Sequence, residues 1–269
     1  VNGAPIDIDS SMPGLVGHTD LDYSGWDLSV PDQRRVDEWL REFRAFEASG
    51  TMPAVQFVYF PRDHTAGTSP GWETPAAMVA DGDLAVGRLV EAVSHSRFWP
   101  TTAIFAVEDD AQDGPDHVDG HRTVALAISP YTQSGRVDST FYSTVSMLRT
   151  MELIVGIGPM TQFDALATPM SAAFDEHPRL APYSALTPVQ PLDELSRVTA
   201  PLSSESAKLD FSRPDSASHL LLNAAIWKSV RGEAAELPRA ALLTSTRDDD
   251  EAQTVMRSAL ASTTPWRAR

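Results

Sequence analysis

Residues 108 to 122 read Glu108-Asp109-Asp110-Ala111-Gln112-Asp113-Gly114-Pro115-Asp116-His117-Val118-Asp119-Gly120-His121-Arg122. Six carboxylates and two imidazoles crowd this stretch. Neighbouring carboxylates raise one another's pKa unless a cation compensates. Carboxylates and neutral imidazoles are also ligands for divalent metals. A solvated acidic turn is the ordinary fate of such a loop. Its place after an apolar run, with the two histidines four residues apart, favours metal binding by this loop. A calcium loop of the helix–loop–helix kind does not fit, because its spacing puts Ala111 and Gly120 where oxygen ligands are required. A second, shorter candidate is the pair Asp63-His64 within a polar stretch from Pro61 to Gly71. Alone, such a pair is more often a capped turn than a site. Arg122 and Arg149 are candidate contacts for an oxyanion such as a phosphate, since the guanidinium fork matches its oxygens.

The flanking elements must bring these stretches together. Val36, Trp39, Leu40 and Phe43 recur at helical spacing after Pro31 and Asp32, and Gly50 supplies a stop. Residues 54–60, rich in β-branched and aromatic side chains, read as a buried strand. A second helix is expected over 75–95, with Val79, Val86, Leu89, Val90 and Val93 toward a core. Strands are expected over 102–107 and 123–129. A third helix is expected from about Asp138, with Phe141, Val145, Leu148 and Met151 on one stripe. Strands alternating with amphipathic helices predict an α/β fold, a mostly parallel central sheet with helices on both faces. Ligands collect beyond the carboxyl ends of such strands. Both chemically unusual loops follow predicted strands, so both fall at that rim.

The remainder reads as the same unit. Residues 1–160 form the expected α/β core, and 161–269 an irregular segment with helices packing on it. Pro and Ser are frequent from Pro178 to Pro214. A helix is expected over 215–230, docking Trp227 into the core. His18, His95, His177 and His219 read as isolated histidines, and the acidic run 248–251 as a solvated helix start.

The formal charge of −16 disfavours nucleic-acid and anionic-membrane partners. The chain has no cysteine, which excludes thiolate nucleophiles, zinc–thiolate centres and disulfides. No apolar run is long enough to span a bilayer.

Several stretches resemble a branch of the bacterial phosphoesterases, in the alkaline phosphatase superfamily, that is often fused to a β-propeller of surface-layer repeats. They are Asp63-His64-Thr65-Ala66-Gly67-Thr68, Glu108 to Gly114, Asp116 to Thr123, Ile128-Ser129-Pro130-Tyr131, Asp138 to Tyr142, Ser146 to Glu152 and Leu222 to Val230. The resemblance implies an alkaline phosphatase-like fold and metal-dependent hydrolysis of phosphate esters. It implies Asp63, His64, Asp109, Asp110, His117 and His121 as metal ligands, and secretion or a periplasmic location. Many superfamily members carry Asp-His where this chain has Asp109-Asp110. The oxygen-rich pair shifts the expected ion toward calcium, manganese or iron and away from zinc. The superfamily's Thr or Ser nucleophile lies on an N-terminal segment that this sequence does not display. Thr19 is the only nearby substitute and stands in a different context. The chain therefore reads as a C-terminal half, incomplete at its N-terminus, whose partner is the missing half or a second chain. The alternative is a non-catalytic metal-binding or structural module.

Overall fold

The computed structural model describes residues 13–108, 122–214 and 216–237. Helix α1 runs over Asp32–Ser49 and helix α2 over Pro75–Ser94. Pro31 opens α1, and Gly50 closes it in the left-handed conformation, its N–H donating to the Phe46 carbonyl. Thr74 caps α2 by accepting from the Ala77 N–H, and Pro75 follows at the first helical position. The two helices pack together. Val36, Trp39 and Phe43 of α1 meet Ala85, Leu89 and Val93 of α2 and the buried Trp99. Trp39 and Phe43 stack at 4.8 Å, and the Trp39 indole donates to Gln56 Oε1 at 3.1 Å. Leu89, Val90 and Val93 are buried as their spacing predicts, but Val79 faces solvent.

Two short strands follow, β1 over Ile104–Val107 and β2 over Ala125–Ile128. They pair antiparallel, with Ile104 opposite Ile128 and Val107 opposite Ala125. Among the described residues there is no parallel pair, which corrects the expected parallel sheet. The reason is connectivity. A parallel neighbour needs a crossover, usually a helix, whereas β2 follows β1 with none between them in the predicted order. Nor is the hairpin deeply buried. Ile104 and Ile128 rest on the helical core, while Val107 and Leu126 at the other end are exposed.

The expected strand at 54–60 is a second correction. Burial alternates along it, with Gln56, Val58 and Phe60 half-buried and Val55, Phe57 and Tyr59 outward, but it belongs to no ladder among the described residues. Strand propensity sets the local conformation; a ladder also requires a neighbouring backbone.

Helix α3 spans Thr144–Val155 and begins later than its pattern suggests. Asp138 accepts from the Thr140 N–H and hydroxyl and from the Tyr142 hydroxyl, which holds 138–142 in a turn. Ser143 and Ser146 then form a capping box. The stripe moves accordingly: Met147 and Thr150 are buried, and Phe141 is exposed.

Helix α4 covers Gln162–Leu166, and residues 178–214 are largely irregular apart from the single turn α5, Ser203–Ser206. Helix α6, His219–Arg231, buries Leu220, Leu221, Leu222, Ala224 and Ala225. Trp227 is only half-buried, contrary to the expected core docking. Its indole donates to the Glu236 carbonyl, and the Arg231 guanidinium lies 5.2 Å from its ring. No helix among the described residues is long and apolar enough to cross a membrane.

Candidate functional site

Asp63 and His64 end a short 3-10 turn, Pro61–His64, that leads toward α2. Asp63 is exposed and His64 half-buried. The residue before them points the other way. Arg62 is almost fully buried and reaches two carboxylates at once, with Nη1 3.1 Å from Asp81 Oδ2 and Nη2 2.8 Å from Glu73 Oε2. Its backbone N–H donates to Asp32 Oδ2 at 3.2 Å.

Asp32 ties this turn to both helices. Its N–H donates to Asp81 Oδ2 at 2.7 Å, and it accepts from Arg35 Nη1 at 3.0 Å. Arg35 in turn donates to the carbonyls of Ser24, Gly25 and Asp27. The cluster thus contains two guanidinium groups and three carboxylates, and only Glu73 reaches solvent appreciably. Burial is the main force on Asp32. With the neighbouring Asp81 charge, it pushes the carboxyl up to about 6, against the pull of Arg35 and the Arg62 N–H.

The imidazole of His64 stands against the edge of Trp26 at 4.9 Å and of Phe211 at 6.2 Å, both near-perpendicular. Nδ1 lies 3.3 Å from the Thr65 carbonyl. A carbonyl only accepts, so this contact calls for a proton on Nδ1. That leaves the lone pair on Nε2, a buried atom with no hydrogen-bond partner. Imidazoles that bind metal characteristically donate their other ring N–H to a carbonyl or carboxylate. His64 therefore fits a metal or proton-accepting role on its own geometry, and Asp63 puts a carboxylate beside it in sequence.

The loop after His64 is held tightly. Thr65 is buried with φ 61° and ψ 165°, a region essentially reserved for glycine, and its hydroxyl accepts from the Gly67 N–H. A Cβ on Gly67 would lie 2.8 Å from Ser206 Oγ, so the close approach of α5 requires glycine there. Thr68 donates its hydroxyl to the Pro201 carbonyl and its N–H to Ser206 Oγ. Beyond Phe211 lies an open hollow of about 430 Å³, lined by Leu28, Ser69, Trp72, Ser206 and Phe211 among others. No lysine or arginine lines it, so it does not suit a phosphate group itself.

Of the residues predicted from sequence, the structure joins Asp63 and His64 in one turn. Asp109, Asp110, His117 and His121 lie outside the described residues. Arg122 is described and exposed, three residues before β2. Thr19 uses its hydroxyl to donate to the Leu15 carbonyl, closing a local turn.

Sequence reasoning missed the Asp32–Arg35–Arg62–Asp81 cluster. Its legible signal was Asp81, a lone carboxylate at helical spacing between Met78 and Ala85 on the buried face of α2. A further acidic group, Asp20, Asp22 and Glu38, has carboxylate oxygens within 4.8 Å of one another. Arg41 bonds Glu38 and lies 3.5 Å from Asp20, so a cation already serves that group. Partial burial and the nearby Glu38 raise Asp20, whereas the hydrogen bond from Arg41 lowers Glu38.

A search of curated proteins and a search of solved structures gave no match. A family model, that of the phosphoesterase family, matches residues 24–158, half of the chain, and so includes α1, α2, both strands, α3 and the Asp63–His64 turn.

Proposed function

Because the chain belongs to the phosphoesterase family, we propose that it takes part in metal-dependent hydrolysis of phosphate esters and that Asp63 and His64 are part of its metal-binding half. The observation that carries this reading is the buried, partnerless Nε2 of His64, with Nδ1 turned to the Thr65 carbonyl. Asp109, Asp110, His117 and His121 are the proposed remaining ligands, and Arg122 the proposed phosphate contact. A divalent ion bound there would polarise the phosphoryl oxygen and stabilise the leaving oxygen. Asp63 would contribute a hard oxygen ligand, and His64 Nε2 a ligand or a proton acceptor. The Trp26 and Phe211 rings shield the imidazole from water on two sides. Calcium, manganese and iron suit the oxygen-rich set better than zinc. Secretion or a periplasmic location belongs to the same proposal.

The test is hydrolysis of an aryl phosphate monoester and diester by the full chain with each metal added, beside His64→Ala and Asp109→Asn/Asp110→Asn. Loss of about 100-fold or more in kcat/KM for each variant supports the assignment. Turnover equal to the unaltered chain defeats it.

A second reading, a metal-binding module without turnover, is favoured by one observation. The hydroxyls of Thr65 and Thr68, those closest in sequence to His64, are both engaged in structural hydrogen bonds. Metal uptake with no hydrolysis under any of these conditions would establish it.

A further inference from the structure

Arg62 and Thr65 flank the Asp63–His64 pair, and each carries a structural expense that packing alone does not explain. Arg62 is buried 3.1 Å from Asp81 and 2.8 Å from Glu73, yet its Nε has no acceptor and its Nη2 is paired by proximity without hydrogen-bond geometry. A buried, incompletely satisfied ion cluster is a poor source of stability, since apolar side chains of similar volume commonly do as well. Thr65, β-branched and buried, occupies a backbone region that is unfavourable for any residue but glycine.

Both features act on one ring. The Arg62 side chain fixes the turn to α2 from within, and its N–H fixes it to Asp32 at the start of α1. The unusual angle at Thr65 aims a carbonyl at His64 Nδ1, and its hydroxyl, accepting from Gly67, pins that angle. We infer that Arg62 and Thr65 are positioning residues that lock the His64 imidazole in its Nδ1–H form with Nε2 presented for a ligand. The inference rests on the reading that His64 belongs to the functional site. It assigns the turn on either side of the pair a role that no ligand motif reveals.

Ring ¹⁵N NMR of the metal-free full chain reads the tautomer directly, without activity. Zinc is then titrated as the probe, with His64→Ala as the control. The unaltered chain should show His64 as Nδ1–H. Arg62→Lys keeps the charge but cannot span Asp81 and Glu73 together. Thr65→Gly relieves the backbone angle and removes the hydroxyl pin. Both should move the ring signals toward the Nε2–H or averaged pattern, and weaken zinc about 10- to 100-fold, the usual cost of losing a group that orients a ligand. If Arg62→Lys fails to fold, Thr65→Gly decides alone. A merely structural role predicts that glycine, which suits this backbone, leaves the ring signals and the zinc affinity as they were, and that result overturns the inference. An unaltered chain whose His64 is not Nδ1–H overturns it too. If the variants shift the tautomer but zinc never perturbs His64, the positioning role stands and the metal reading falls.

Discussion

The α1–α2 layer and the β1–β2 hairpin draw on the same kinds of apolar residue and use them differently. In the helical layer, Val36, Phe43, Val93 and Trp99 are almost completely enclosed. Along the hairpin and the segments after it, Val107, Val124, Leu126, Leu153, Ile154 and Phe163 remain largely exposed. The helical layer also buries its charges in pairs, and the turn bearing Asp63 and His64 is anchored to that layer. An isolated two-stranded hairpin is marginally stable in water. The Asp63–His64 turn thus stands on the most fully enclosed of the described elements, while β1 ends at an exposed Val107.

If that contrast holds, core truncations should cost very different amounts. Phe43→Ala removes a ring packed by Trp39 and Phe98. It should destabilise the chain by about 3–5 kcal/mol. Leu126→Ala, on a strand position that is 45% exposed, should cost about 1 kcal/mol. Urea unfolding midpoints separate the two values, and equal losses would mean that the hairpin is as well packed as the helices.

The same contrast explains what was legible in the sequence. Helices α1 and α2 were readable almost to the residue because local signals agreed: Pro31 and Gly50 at the ends of α1, and an apolar stripe along each helix. Strand existence at 104–107 and 125–128 was legible too, but pairing direction is a non-local property, and the alternation of strands with helices suggested a mostly parallel sheet that the described residues do not contain. Residues 54–60 look like a strand, and their burial alternates as a strand's would, but among the described residues they pair with no neighbour. In the candidate site, Asp63 and His64 were singled out from residue type. Arg62, Asp32 and Asp81 were not, because their meaning lies in contacts between α1, α2 and the turn, 19 to 49 residues apart.

The buried charges of the helical layer give a second, smaller test. The ordinary Asp carboxyl titrates near 3.8, and that of Asp32 is pushed up to about 6 by burial and Asp81. A raised folded-state value means that the folded protein binds this proton more tightly than the unfolded chain does. The stabilising contribution is therefore full below about pH 3.8 and is lost as pH rises through about 6, an amount on the order of 2–3 kcal/mol. Asp32→Asn cannot titrate. The stability of the unaltered chain minus that of Asp32→Asn, measured by denaturant unfolding from pH 4 to pH 7, should fall as pH rises. A flat difference would show that the Asp32 charge is fully compensated by Arg35 and Arg62, and the helical layer would then be less strained electrostatically than its burial suggests.

The smallest expected effect lies at α4, on the exposed side of the comparison. Thr161 caps this helix, its hydroxyl accepting from the Phe163 N–H at 3.2 Å. Burial pushes the Asp164 carboxyl up, but hydrogen bonds from the Thr161 hydroxyl and N–H and from the Met160 N–H outweigh it and hold the group well below the usual range. Thr161→Ala should cost about 1 kcal/mol, the ordinary worth of such a cap. Where that cost appears is the informative part. Regions with few enclosed apolar contacts open without global unfolding. Hydrogen exchange at residues 162–166 should therefore accelerate several-fold while the urea midpoint of α1 and α2 stays in place. A matching shift of the global midpoint would instead make α4 part of the same cooperative unit as the helical layer, and the two regions would differ in exposure but not in stability.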